Sequence, residues 1–566
     1  MTRMRDSMFA AFVLSVCLLL ACGALGDVTA TGHDSRIDLC WAPEKDGDVV
    51  GYNVYRADRA GGPFAKLNER PHPRHVYSDF FGLNDRTYHY RVAAVGAGGK
   101  ESPPSPVVSA RSRVMSDDEL LTSVQAATFR YFWDWGHPDS GMARDRDRSR
   151  DVCTTGGTGF GLMAIMVGAE RGFVGRAAAA ARVLKIVAFL QDKAQRYHGA
   201  WPHWIQGRTG KTLPFAKKGD AADDGADLVE TAFLVQGMLT VRRYFDRDDP
   251  VEREIRQRIT QVWREVEWDW FLGWREGARN LSWHWSPNSG WGMGLRIGGR
   301  FNECLIAYLL AVASPTHPIP PSCYHEGWVG SERSYANGKT YYGYEQWVGR
   351  PMGGPLFFTH YSFLGFDPRG WRDQFCNYFE NNRAISRIHR AYCIDNPGKH
   401  KGYGELVWGL TASDTPGGYQ AHAPGPKDNG TISPTAAISA MPYTPAESIA
   451  TLKHFYHAYG RRLWGEFGFH DAFNLDCDWF ADSYLAIDQG PIVCMIENHR
   501  TGLCWRMFMA NPEIEPMLKK IGWTEDKTDS SGDTHNHACQ GPPPRGGSYC
   551  LSMAVSGPFL GPSPTR

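Results

Sequence analysis

Two acids three residues apart, Asp227 and Glu230, open an otherwise apolar run, Asp227-Leu228-Val229-Glu230-Thr231-Ala232-Phe233-Leu234. On a helix this spacing puts both carboxylates on one face. A first-turn carboxylate can simply cap the helix or favour its dipole, a plainer role that suits Asp227 better than Glu230. Glu230 precedes apolar side chains and needs a partner or a wet cavity. Glu303 heads a second apolar stretch, a setting that raises a carboxyl pKa toward a general acid's range. Taken alone, such a residue is more often structural than functional. Asp488 comes before Gln489-Gly490-Pro491, read as a turn that presents it to a cleft, and nearby Asp482 reads as a helix cap. One acid to protonate a leaving oxygen, and a second carboxylate to activate water or attack carbon, is what glycosidic cleavage generally needs.

Aromatic residues make up 13% of the chain, including 20 Trp and 24 Tyr. Most are expected to fill a core. The segment Trp283-His284-Trp285-Ser286-Pro287-Asn288, with Trp291 beyond, is different, because flat rings beside polar groups suit a sugar. A wedge between helices is the alternative. The 61 basic and 61 acidic residues balance, which argues against a nucleic-acid binder. The cysteines lack CxxC or Cys/His ligand spacing, so no structural zinc is expected and most should be small buried side chains.

Several elements must position these residues. Arg3 and Arg5 precede an apolar run over 8–20 that closes on Leu19-Leu20-Ala21-Cys22-Gly23. This is an export signal whose end resembles a bacterial lipoprotein processing site, with residues 1–22 as leader and Cys22 lipidated. Plain secretion after nearby cleavage is the alternative. Short alternating runs at 37–41, 51–56, 87–95 and 106–110 make residues 27–111 all-β. From 116 the pattern is helical: candidates are 120–135, 158–172, 176–196, 226–245, 251–270, 301–313, 371–391, 444–459 and 516–521. Helices joined by long loops without strand alternation suggest an all-α toroid over 116–524 rather than a β/α barrel. The tail 525–566 is expected to be disordered.

Residues 27–111 resemble a fibronectin type III domain through Leu39-Cys40-Trp41, Gly51-Tyr52-Asn53-Val54-Tyr55-Arg56 and Thr87-Tyr88-His89-Tyr90-Arg91-Val92. Trp41 would be the core tryptophan and Tyr88 a tyrosine corner. A spacer role is favoured over sugar binding. Most of the remaining chain resembles glycoside hydrolase family 144, whose domain has been called glycoamylase-like. The shared phrases include Thr154-Thr155-Gly156-Gly157-Thr158-Gly159, Gly199-Ala200-Trp201-Pro202-His203-Trp204, Asn302-Glu303-Cys304-Leu305-Ile306, Thr359-His360-Tyr361-Ser362, Asp428-Asn429-Gly430-Thr431 and Ile487-Asp488-Gln489-Gly490-Pro491.

The resemblance implies an (α/α)6 toroid that hydrolyses β-1,2-glucan, usually endo, by an inverting route without metal or cofactor. Glu303 matches the general acid, Asp227 and Glu230 match carboxylates needed for activity, and Asp488 is expected as the base. Substrate binding is expected at Trp201, His203, Trp283, His284, Trp285, Asn288, Trp291, Tyr361 and Asn429. The expected partners are a β-glucan and a membrane reached through the lipid anchor, with no obligate protein partner. Rival readings are an exo-acting enzyme releasing sophorose, an α-1,4-glucan hydrolase and a non-catalytic glycan-binding lipoprotein.

Overall fold

The computed structural model describes residues 28–42 and 49–526. The leader, Cys22 and the tail beyond 526 lie outside the described residues. Among those described, no helix is long and apolar enough to cross a membrane.

The first part is a sandwich of two antiparallel sheets. Its strands are β1 Thr29–Gly32, β2 Arg36–Cys40, β3 Val49–Ala57, β4 Ala65–Lys66, β5 Val76–Phe80, β6 Thr87–Gly96 and β7 Val108–Arg111. One sheet has the order β1-β2-β5 and the other β4-β3-β6-β7. Ile37, Leu39, Trp41, Val54, Tyr90 and Val92 alternate inward to form its core. Trp41 is fully buried as expected. The buried tyrosine is Tyr90 rather than Tyr88, and its hydroxyl donates to Asp79 Oδ2 at 2.8 Å rather than to backbone. Tyr88 packs half-buried under the Arg56 guanidinium, 4.6 Å from its ring centre.

The sandwich is docked firmly on the helical remainder of the chain. Arg36 is completely buried, pairs with Asp38 at 3.0 Å, donates to Ser123 Oγ at 2.8 Å and to Tyr456 Oη, and lies 4.5 Å from the Trp464 ring centre. Phe80 presses on Gly460, where no Cβ would fit.

That second part comprises α1 Asp117–Trp133, α2 Thr155–Glu170, α3 Arg176–Asp192, α4 Leu228–Tyr244, α5 Pro250–Arg264, α6 Leu305–Ala313, α7 Tyr378–Asp395, α8 Pro434–Ser439, α9 Pro445–Leu463, α10 Ala486–Arg500, α11 Leu503–Met509 and α12 Ile514–Lys520. Ser116 and Glu119 form the reciprocal capping box that starts α1. Helices α2, α4, α6, α8 and α10 are apolar or small on nearly every side and almost wholly buried. By contrast, α5 buries a single stripe of Ile255, Ile259, Val262 and Trp263 and leaves its charged face to water. Helix α2 packs on α4, α4 on α6, α6 on the 3-10 turn Tyr361–Phe363, α8 on α10, and α10 back on α2. Outside them, α3 packs with α5, α1 packs on α10, and α9 packs on α8. Glycine makes the closest approach possible: a Cβ on Gly237 of α4 would lie on the Gly159 carbonyl of α2.

Several expected boundaries move. The 251–270 candidate is α5 followed by a separate 3-10 turn, Trp268–Leu272. The 371–391 candidate starts only at Tyr378, where Asn377 caps the helix. The turn expected after Asp488 is absent: α10 runs straight through Gly490 and Pro491. Asp482 is not a cap, because α10 begins after Leu485 and Asp482 makes an exposed ion pair with Arg148. At the tail's expected start, Thr524–Glu525 pairs with Trp371–Arg372 as a short strand.

Candidate active site

The N-terminal ends of α4, α6 and α10 each bring an acid to one region. Asp227 caps α4, its Oδ1 accepting the Val229 and Glu230 N–H groups at 3.0 Å each. Capping uses one oxygen only. Oδ2 faces His203 Nδ1 at 3.2 Å and His284 Nε2 at 3.6 Å, and His284 Nε2 also lies 3.3 Å from Asp223 Oδ2. A two-strand ladder, Ala226–Asp227 against His284–Trp285, sets Asp227 directly opposite His284. Burial alone would raise the Asp227 carboxyl, but hydrogen bonds from the two imidazoles outweigh it and hold the group below the usual carboxylate range. Burial likewise disfavours the imidazolium forms. Glu230 and Asp227 overcome it at His203, pushed up to about 10, and Asp223 and Asp227 do so at His284, pushed up to about 9. Both rings are therefore positively charged at neutral pH.

Glu230 completes this cluster. Its Oε2 accepts the Gly156 N–H at 2.7 Å, and its Oε1 lies 4.0 Å from His203 Nδ1. A side chain at Gly156 would collide with that carboxyl, so α2 and Glu230 meet only through glycine. Burial pushes Glu230 up to about 7, with His203 pulling the other way. Phe215 stacks flat on His203, ring centres 3.7 Å apart and planes 7° from parallel.

Glu303 stands in the loop just before α6. Ser362 Oγ donates to its carbonyl oxygen and accepts the Ile306 N–H at 3.0 Å, which ties Glu303 to the start of the helix. Its Oε2 is buried without a hydrogen-bond partner, and burial pushes the carboxyl up to about 7. The next residue, Cys304, is held as a neutral thiol by burial and by the charges of Glu303, Asp227 and Glu230.

A second acidic cluster gathers at α10. Asp488 Oδ1 accepts the Tyr361 hydroxyl at 3.5 Å, and the carboxyl also hydrogen-bonds with that of Asp471. Burial, then the neighbouring Asp471, raises Asp488 well above the carboxylate range. Asp471 is itself pushed up to about 7 by burial and by Asp414. Two such carboxyls hold one proton between them near neutral pH. Tyr361 bonds Asp488 and the next residue, Ser362, bonds the Glu303 carbonyl, so this segment links the two clusters.

The Glycoamylase family model, described as a glucoamylase family, matches residues 298–512. An exo β-1,2-glucooligosaccharide sophorohydrolase (non-reducing end) from Parabacteroides distasonis is 42% identical over 510 residues, 87% of this chain and 70% of that one. The chain belongs to the glycoamylase-like family of glycoside hydrolases. A crystal structure of a β-1,2-glucanase from P. distasonis superposes with a TM-score of 0.84 at 42% identity, over 89% of this chain and 73% of that one. An endo-β-1,2-glucanase from Chitinophaga pinensis, in complex with sophorotriose and glucose, gives 0.69 at 47% identity, over 73% of this chain and 99% of that one.

In this hydrolase the expected site residues separate into two groups. Asp227, Glu230, His203, His284, Glu303, Asp488 and Tyr361 come together as described. Trp201 does not face a cleft: it is fully buried, its indole donates to the Leu190 carbonyl at 3.1 Å, and its carbonyl accepts the Asp227 N–H at 2.9 Å. It supports the site from behind. Trp283 stacks half-buried beside His284. Trp285 points to the opposite face of its strand and packs with His198 and Trp270, and Trp291 joins the same aromatic group through Trp270. Asn288 is exposed and donates to Asp224. Asn429 accepts the Thr431 N–H through its own side chain in a local turn.

Asp223, Asp471, Asp414 and Phe215 were not singled out from sequence. Asp223 is 2% exposed; its Oδ2 faces His284, and its Oδ1 is buried without a hydrogen-bond partner. Its signal lay in the pair Asp223-Asp224, one acid facing the site and the other tying down Ser286. Asp471 carries no periodic signal. His203, Asp223 and Asp227 are also the one group among the described residues whose ligand atoms lie within 4.8 Å of one another, close enough to hold a metal ion.

Proposed function

We propose that this hydrolase cleaves β-1,2-glucan with inversion, attacking within the chain, with Glu303 as general acid and the Asp488–Asp471 pair as general base. The observation that carries the reading is the buried, unpartnered Glu303 Oε2 on a carboxyl raised to about 7. Such a group holds its proton up to about neutral pH, far above an ordinary carboxylate, so it can protonate a glycosidic oxygen. The charge left on the Asp488–Asp471 pair accepts a proton from water. Asp227 and Glu230, with their two imidazoliums, offer acceptors and donors for glucose hydroxyls. The activities of the P. distasonis and C. pinensis proteins support the substrate.

A second mode is favoured by one observation. The match to the exo-acting sophorohydrolase spans 87% of this chain, more than the helical part alone supplies. Release of sophorose from a non-reducing end is therefore the competing mode. The succession of buried helices ringed by an outer layer supports the (α/α)6 toroid reading, and the three-plus-four strand order supports the fibronectin type III reading. The Leu19-Leu20-Ala21-Cys22 sequence supports export with lipidation at Cys22, which metabolic lipid labelling of Cys22→Ser would test.

The deciding experiment incubates the protein lacking residues 1–22 with linear β-1,2-glucan and resolves products over time. A ladder of short oligosaccharides is expected. Sophorose alone from the outset would make the enzyme exo-acting, and no product would overturn the substrate.

A further inference from the structure

One side chain of the β-sandwich is tied to the segment that precedes the active-site helix α10 in space. Arg74, in the loop between β4 and β5, donates to Asp147 Oδ2 at 2.7 Å and pairs with Glu466. Its guanidinium also lies 4.9 Å from the Trp135 ring centre and 5.1 Å from that of Phe467. All four partners belong to the helical part, and only 12% of the Arg74 side chain meets solvent.

Asp147 passes this restraint on. Its N–H donates to the Tyr484 carbonyl at 3.0 Å, and its Oδ1 accepts the Tyr484 N–H at 3.3 Å. Tyr484 immediately precedes Leu485, the cap of the helix that carries Asp488. The two residues before Asp147 reach the acids themselves. Arg146 grips both oxygens of Asp414 at 2.8 Å, and the Asp414 N–H donates to Asp471 Oδ2 at 2.6 Å. The Asp145 carbonyl accepts the N–H of Ala486, the first residue of α10. Residues 145–147 thus join the sandwich, the start of α10 and the Asp488–Asp471 pair.

We propose that Arg74 is a positioning residue of the active site, through which the β-sandwich fixes residues 145–147 and with them the start of α10 and Asp488. The inference rests on the proposed role of Asp488 as base. An arginine held by two carboxylates and two aromatic faces is a stiff restraint, because its planar fork loses little freedom on binding. The effect is one of precision, since the C. pinensis enzyme, matched over 99% of its length, covers only 73% of this chain. The fold can work without a sandwich.

The test uses the full chain and five variants. Arg74→Met is expected to lower kcat on β-1,2-glucan by about tenfold, the scale of a small misplacement of a catalytic group, with KM within about twofold. Arg74→Lys, which can still reach Asp147, recovers part of the loss. Arg461→Met removes a bond from Arg461 to the Phe81 carbonyl elsewhere in the same interface, and is expected to lower Tm while leaving kcat intact. If Arg74→Met does not fold, Asp147→Asn gives the same readout with the arginine in place. Unchanged kcat in Arg74→Met, or kcat losses in Arg74→Met and Arg461→Met that merely follow Tm, would overturn the proposal. Asp488→Asn, assayed alongside, separates the two readings. Full turnover there overturns the base and the link to it, whereas an inactive Asp488→Asn beside a fully active Arg74→Met overturns Arg74 alone.

Discussion

Glu303 owes its proton to burial, and its rate contribution should follow that proton. Replacing it by Gln keeps the shape and removes the acid, so kcat should fall by about 10²–10⁴-fold, the usual range for a general acid. Circular dichroism and Tm should remain native. The sign of the pH dependence comes from both clusters. Glu303, raised to about 7, is protonated below that pH and loses its proton as pH rises through it, which gives the alkaline limb. The Asp488–Asp471 pair gains its second proton as pH falls through about 7, which gives the acid limb. A narrow bell in kcat/KM near neutrality is expected. Asp471→Asn removes the charge that presses on Asp488 and should move the acid limb to lower pH. Glu230 and Glu303 stand out in sequence as acids among apolar side chains, whereas Asp227 reads there as a helix cap, and the roles of all three come from the family resemblance. Asp471 does not stand out, because its acid character is ordinary in a polar loop and only folding places it against Asp488.

At the scale of elements, sequence reading succeeded where a single helix explained its own residues and failed where a neighbour did. The capping box at Ser116 and the apolar stripe of α5 are local signals, and both helices were found. Gly490-Pro491 looked like a turn because both residues break helices in isolation. Gly490 is there for a different reason: a Cβ would strike Phe160 of α2. Tertiary packing therefore explains the glycine that local rules read as punctuation. The same logic makes Gly159 and Gly237 irreplaceable. Gly237→Ala would force backbone apart between α2 and α4, at a cost of about 3 kcal/mol, the upper range for overpacking. Denaturant midpoints measure this directly, and a near-neutral result would mean the helices can slide.

For the molecule as a whole, two separable units were expected, with the sandwich as a spacer. The fold instead buries an ionic and aromatic junction between them, with Arg36 wholly enclosed. Composition cannot reveal this, because Arg36 lies 420 residues before Tyr456, which has Trp464 as its neighbour, and each is ordinary when taken singly. Calorimetry should show one cooperative unfolding transition. Arg36→Met leaves Asp38 with less compensation and should cost about 3–5 kcal/mol, as breaking a buried pair does. Two well-resolved transitions in the unmodified protein would show that the junction is only a contact.

The arrangement of Asp223, Asp227 and Glu230 around two imidazoliums has a consequence for capture of the polymer. Opposite charges sit within about one hydrogen-bond length of each other, far inside the Debye length of about 8 Å at physiological ionic strength. Their fields largely cancel before reaching the solvent. A glucan has no charge to be steered, and this cleft has little net charge with which to steer it. The enzyme should therefore bind its polymer as readily in brine as in dilute buffer.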